Sequence, residues 1–171
     1  MLKNPMLDKL NDQLNSEIYS AYLYFSMAGY FESVNLKGFA NWMEIQAQEE
    51  LAHAHRLYKY TIDRGGRPKM AAIDAPREKW SSPLEAMQDA YDHECKISAQ
   101  INECVTLALK ENDHSTNTML QWFVSEQVEE EAAADDIVQK LKLIADNSTG
   151  LFLLDSELSK RSVDFDGGTA K

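Results

Sequence analysis

Apolar residues recur along this chain at alternating spacings of three and four, the period of a single buried face on an α-helix. Four long stretches carry the pattern. In the first, Leu10, Leu14, Glu17, Ala21, Tyr24 and Ala28 share a stripe. Asn4-Pro5 predicts its start, with Asn4 as the capping side chain and Pro5 where a missing N–H costs nothing. This helix is expected to end near residues 31–33. A short connection through Asn35 and Gly38 leads to the second stripe, Phe39, Met43, Gln46, Glu50, His53, Leu57 and Tyr60. It ends near Arg64, where Gly65-Gly66-Arg67-Pro68 stops a helix.

Residues 65–81 have no helical period and are long for a connection in a compact domain, so they are expected to cross the length of a bundle. Ser82-Pro83-Leu84-Glu85 then opens a third helix with an N-cap, a first-position proline and a capping-box glutamate. Its stripe reads Leu84, Met87, Tyr91, Glu94, Ser98, Ile101, Val105 and Ala108. After Asn112-Asp113 the fourth carries Thr116, Leu120, Phe123, Gln127, Glu130, Ala134, Ile137, Leu141 and Ile144. Asn147-Ser148-Thr149-Gly150 breaks the pattern, and a short apolar helix follows from Leu151 to about Lys160. Two short turns around one long crossover predict an all-α four-helix bundle with a short fifth C-terminal helix. Residues 1–161 form this domain, and 162–171, with Gly167-Gly168, are expected to be a flexible tail.

The stripes contain residues that do not belong in an apolar core. Glu50 and His53 lie one turn apart on one face, and burying ionisable groups is expensive unless something compensates them. The chain also repeats itself. Glu17 precedes Glu50 by 33 residues and Glu94 precedes Gln127 by 33; the second set follows the first at an offset of 77, with Glu126 echoing Glu49. Each half supplies one carboxylate from its first helix and a polar pair three apart from its second: Glu50 with His53, and Gln127 with Glu130. Di-iron carboxylate bundles have this general form, with Glu-x-x-His in both halves.

No lysine or arginine lies on the four stripes, so internal ion pairing is not available to these carboxylates. Either several stay protonated through mutual repulsion, or two divalent cations neutralise about four negative charges. Oxygen donors with one imidazole suit Fe(II), Mn(II) or Zn(II). Glu17, Glu50 and His53 are assigned to one metal and Glu50, Glu94 and Glu130 to a second, with Glu50 bridging and Gln127 beside the second. Tyr24, two turns past Glu17, is either a core tyrosine or a source of an electron or hydrogen bond. Trp122 reads as core packing, with electron donation as the other reading. Glu49, Glu126 and Glu129 are either surface glutamates or, with Glu130, a further metal station. His55, His93 and His114 are read as non-ligands.

Composition narrows the partners. The formal charge is −11, from 28 acidic and 17 basic residues, which argues against nucleic acid and suits the handling of cations. Cys95 and Cys104 form no CxxC and are expected to be free thiols in a reducing compartment. No signal segment or membrane-length apolar run is present, so a soluble cytoplasmic protein is expected.

The chain resembles the ferritin family, and within it the non-haem ferritins of prokaryotic type. The resemblance runs through Asn15-Ser16-Glu17, Gln48-Glu49-Glu50-Leu51-Ala52-His53 and Ala90-Tyr91-Asp92-His93-Glu94. It continues through Leu120 to Glu131 and into Gly150-Leu151 and Leu158-Ser159. It implies iron storage and detoxification at a ferroxidase centre ligated by Glu17, Glu50, His53, Glu94 and Glu130, with Tyr24 and Gln127 as close neighbours. It also implies a third iron site from Glu49, Glu126, Glu129 and Glu130. Fe(II) would be oxidised to Fe(III) by O₂ or H₂O₂ and stored as hydrated ferric oxide in a homo-oligomeric 24-subunit shell, with the fifth helix lining its fourfold axes. Haem is not expected: Ala52 stands beside His53, and Gln127 and Glu130 replace a second Glu-x-x-His. A peroxide-reducing di-iron protein of the erythrin type and a redox-silent metal buffer are the alternative readings.

Overall fold

The computed structural model describes residues 2–162 as five helices: α1 (Asn4–Ser33), α2 (Lys37–Asp63), α3 (Pro83–Lys110), α4 (His114–Ile144) and α5 (Ser148–Leu158). The expected tail from 163 onward lies outside the described residues. α1 packs on α2, α3 on α4 and α1 on α3, while α5 sits against α2 and α4. The result is a four-helix bundle with a long α2–α3 crossover. No helix among the described residues is long and apolar enough to cross a membrane.

The repeat extends into the turns. Asn35 and Asn112, also 77 residues apart, both adopt positive φ (60° and 55°), the left-handed conformation that asparagine tolerates better than most residues. α2 ends on Gly65 at φ 72°, with the Gly65 and Gly66 amides returning to the carbonyls of Ile62 and Thr61. The crossover runs along α1. Asn11 and Asn15 accept the backbone N–H groups of Lys69 and Ala71 at 2.8 Å each, and Ser26 donates to the Arg77 carbonyl at 2.7 Å. From Gly66 beside Leu7 to Trp80 packed on Tyr30 the loop follows α1 for about 35 Å, most of the bundle's length.

Three local expectations need correction. Asn4 is inside α1 rather than its cap; Lys3 takes that position without a capping side chain, because the Leu2 amide donates to the Arg64 carbonyl and draws the chain start against the end of α2. α5 begins at Ser148, not Leu151, because the Asn147 side chain accepts the Gly150 N–H at 3.1 Å and turns the apparent break into a cap; it ends at Leu158 rather than near Lys160. The buried face of α3 is wider than its stripe. It takes in Ala90, His93, Ile97 and Cys104 and leaves Tyr91, Ser98 and Val105 half-buried, since α3 packs against both α4 and α1.

α5 is held to the start of α2 by a close contact. Leu36 offers no capping side chain there; instead the Gly38 and Phe39 amides donate to Asp155 Oδ1 at 2.7 and 3.1 Å. A Cβ on Gly38 would overlap the Asp155 carbonyl oxygen. Leu154 and Leu158 are buried behind this contact.

The apolar core is in two blocks. One contains Tyr24, Met27, Phe31, Phe39, Met43, Met87, Ile137 and Leu154; the other contains Leu10, Leu14, Leu57, Ile97, Ile101, Leu120 and Phe123. Between them lies a layer of buried polar side chains.

Candidate metal centre

Each long helix contributes to that layer: Glu17 from α1, Glu50 and His53 from α2, Glu94 from α3, and Gln127 and Glu130 from α4. Glu17, Glu50 and Glu94 are each 1% exposed, so their charges have no access to bulk water. Part of the layer is hydrogen-bonded. Glu17 Oε1 accepts from Gln13 Nε2 at 2.8 Å, and Glu130 Oε2 from Gln46 Nε2 at 2.7 Å. Glu94 accepts from the Tyr24 hydroxyl and, at 3.0 Å, from Gln127 Nε2.

The remaining donors and acceptors face one another without partners. Both Glu50 oxygens, Glu17 Oε2 and His53 Nδ1 are buried and unsatisfied among the described residues. Ligand atoms of Glu17, Glu50 and His53 lie within 4.8 Å of one another, and so do those of His53, Glu126 and Glu130. Native interiors rarely tolerate such orphans, and a cluster of them marks a place for an ion. The geometry thus gathers the first predicted ligand set. Around Glu130 it gathers His53 and Glu126, whereas Glu94 is turned toward Tyr24 and Gln127.

Burial and mutual repulsion raise the proton affinity of this centre. Burial pushes the Glu17 and Glu50 carboxyls well above the usual carboxylate range, the charge of Glu50 adding to the first and that of Glu94 to the second. Glu94 is raised by burial although Tyr24 and Gln127 oppose the shift. Glu130 is pushed up to about 7 by burial and by the Glu94 charge. The Tyr24 phenol is also raised by burial and by Glu94, so it stays protonated and donates.

A pH dependence follows. These carboxyls bind protons more tightly folded than unfolded, so the metal-free protein is stabilised at low pH and loses that contribution as pH rises through about 7, where Glu130 ionises. A cation must displace the same protons, so apparent metal affinity rises over this range. Titration with Zn(II) at pH 5.5 and 7.5 is expected to show tighter binding and less proton release at the higher pH. Unfolding midpoints in chelator should fall over the same interval.

The other predicted residues are more dispersed. Glu126 and Glu49 are half-buried and Glu129 is exposed; Glu49 and Glu129 belong to neither close group, and Glu49 is paired with Arg161. Trp122 places its ring edge-on to His53 at 5.3 Å, with the Arg56 guanidinium 4.0 Å from its centre. His55 and His114 are exposed. His93 is buried against Ser20 Oγ at 2.8 Å, and burial lowers it to about 4, so it is neutral. Gln13 and Gln46, which orient two of the carboxylates, received no role from the sequence. Gln13 stands four residues before the glutamate it bonds, a spacing the sequence shows, whereas Gln46 bonds Glu130 across the bundle, which no spacing reveals.

A family model described as the Ferritin-like domain matches residues 7–144. The chain belongs to the ferritin family. It is 40% identical over 161 residues to the bacterial non-heme ferritin of Bacteroides fragilis (strain 638R), covering 94% of this chain and all of that one. To the bacterial non-heme ferritin of Escherichia coli O157:H7 it is 40% identical over 159 residues, covering 93% and 96%. A solved open pore ferritin from the hyperthermophilic archaeon Archaeoglobus fulgidus superposes with a TM-score of 0.94 at 50% identity, covering 95% of this chain and 100% of that one. An engineered closed form of the same archaeal ferritin matches with the same TM-score and identity. In this ferritin the layer of carboxylates lies within the matched span, residues 7–144, and α5 lies beyond it.

Proposed function

We propose that this ferritin stores and detoxifies iron, oxidising Fe(II) at a two-metal ferroxidase centre and depositing Fe(III) as a hydrated oxide inside a 24-subunit shell. The observation that carries this reading is the set of orphaned oxygens on Glu17 and Glu50 facing His53 Nδ1 between the two apolar blocks of the core. Glu17, Glu50 and His53 bind one Fe(II); Glu50, Glu94 and Glu130 bind the other, with Glu50 bridging. Gln127 and Tyr24 hold Glu94 until the second ion draws it in. Gln13 and Gln46 fix the orientation of Glu17 and Glu130.

Each Fe(II) gives up one electron. The pair reduces O₂, with two protons, to H₂O₂; when H₂O₂ is the oxidant, two electrons and two protons give two waters. The chain holds both ions close together with coordination positions left for the oxidant. Tyr24, protonated and beside Glu94, supplies a hydrogen bond or an electron. Glu49, Glu126, Glu129 and Glu130 form a third station through which iron passes. The acidic surplus draws cations in, α5 packs around the fourfold axes, and the two free thiols suit a cytoplasmic setting. No haem is assigned.

Particle mass followed by aerobic addition of Fe(II) tests the whole reading. A shell of 24 copies of the 19.4 kDa chain, about 466 kDa, that consumes oxidant and retains hundreds of Fe(III) is the expected result. Tight metal binding without Fe(II) oxidation would indicate a redox-silent buffer instead. Small oligomers that reduce peroxide without forming mineral would indicate an erythrin-type peroxidase.

A further inference from the structure

Beyond Leu158 the chain continues along α2. The Asn41 amide donates to the carbonyls of Leu158 and Arg161 at 3.3 and 3.1 Å, fixing the backbone of this segment. The Arg161 guanidinium lies 4.9 Å from the centre of the Trp42 ring, and its Nη2 reaches Glu49 Oε2 at 2.6 Å. Trp42 and Glu49 are seven residues apart, so they share one face of α2 and form a track for the arginine. A cation is therefore already seated on the glutamate that adjoins the two-metal centre.

We propose that Arg161 is the counter-cation of the third station in the iron-free protein, and that Fe(II) binding at Glu49 must displace it. This rests on the reading of Glu49, Glu126, Glu129 and Glu130 as that station. Three observations support the displacement. The oxygen of Glu49 bonded to the guanidinium is engaged in a charge-assisted hydrogen bond, so a metal at Glu49 competes with a cation already there. Glu126 gathers with His53 and Glu130, whereas Glu49 does not join them; its carboxylate is committed to Arg161. The two side chains are 26% and 35% exposed, so the pair is partly screened and can be exchanged for a stronger cation.

A pair of this kind biases the station rather than closing it. The third ion then binds after the first two, and its arrival removes the side-chain anchor of the segment that follows α5, leaving the Asn41 hydrogen bonds as its tether. Arg161 is in this sense a positioning residue: it touches a ligand of the metal, not the metal.

The test uses the full-length, iron-free protein and Zn(II), which binds without turnover. Calorimetric titration of the parent is expected to show three ions per subunit. In Arg161→Ala the third should bind up to about fivefold more tightly with the first two unchanged, that factor being the worth of a partly exposed ion pair. Arg161→Lys, which keeps the charge, should resemble the parent. Hydrogen exchange supplies a readout that needs no variant at all: amides of residues 159–161 should exchange faster in the parent as the third ion fills. In Glu49→Gln they should exchange fast without metal, and the third ion should be lost. A third ion that binds equally well with and without Arg161, with no change in exchange on filling, overturns the displacement and leaves the station standing. A parent that takes up only two ions overturns the station and the displacement together.

Discussion

In the Glu50→Gln protein, rapid Fe(II) oxidation is expected to slow by about a hundredfold or more, while the metal-free protein becomes more stable than the parent. The first effect follows from the bridging role. An amide keeps the shape of the side chain but is a poor ligand, and even partners outside the coordination sphere commonly cost about 10–100-fold when removed. The second follows from the cost of the native group. Both Glu50 oxygens are buried without a donor, beside Glu17 and facing the charges of Glu94 and Glu130. The substituted amide can donate to Glu17 Oε2 at any pH, whereas the native carboxyl can do so only while it holds a proton. The gain therefore grows with pH toward the roughly 1–3 kcal/mol of an unsatisfied buried group. Stopped-flow oxidation and chemical denaturation in chelator measure the two halves separately. Oxidation at the parent rate would remove Glu50 from the bridge. A drop in stability would mean that its burial is compensated by something other than a metal.

Gly38→Ala is expected to undock α5. The added methyl group occupies the space of the Asp155 carbonyl oxygen, which is backbone and cannot rotate away. Relief requires the whole of α5 to move, which breaks the cap that Asp155 provides to the Gly38 and Phe39 amides and uncovers Leu154 and Leu158. Burying one leucine is worth about 1.5–3 kcal/mol, so the loss is at least of that order. If α5 packs around the shell axes, the particle should also fall apart into smaller oligomers. Sedimentation and thermal unfolding read both consequences. A full-sized shell with parent stability would show that α5 does not depend on this approach.

The buried polar layer was legible in the sequence because it breaks a rule. Glutamates on a stripe that packing reserves for apolar residues stand out, and the 77-residue echo shows that the exception occurs twice. Asn35 and Asn112 carry the same echo into the backbone, where both take the left-handed conformation. Other features were not legible, each for a physical reason. His93 sits off the expected stripe, and only the packing of α3 against α1 buries it. Asn147 has the composition of a break and the geometry of a cap, which differ by one hydrogen bond. The Arg161–Glu49 pair joins residues 112 apart, and Arg161 follows the last periodic stretch, so no spacing pattern connects them.

The docking of α5 on the first turn of α2 also sets an order of events during synthesis. All the proposed metal ligands, from Glu17 to Glu130, leave the ribosome before Asp155 and Arg161 do. A nascent chain therefore possesses its carboxylates while the N-terminus of α2, the helix bearing Glu49, Glu50 and His53, is still uncapped. Synthesis of residues 148–161 supplies both the cap and the cation at Glu49. The segment that caps α2, the helix bearing three of the proposed ligands, is thus made after every one of them, so the proposed site is complete only once α5 has docked.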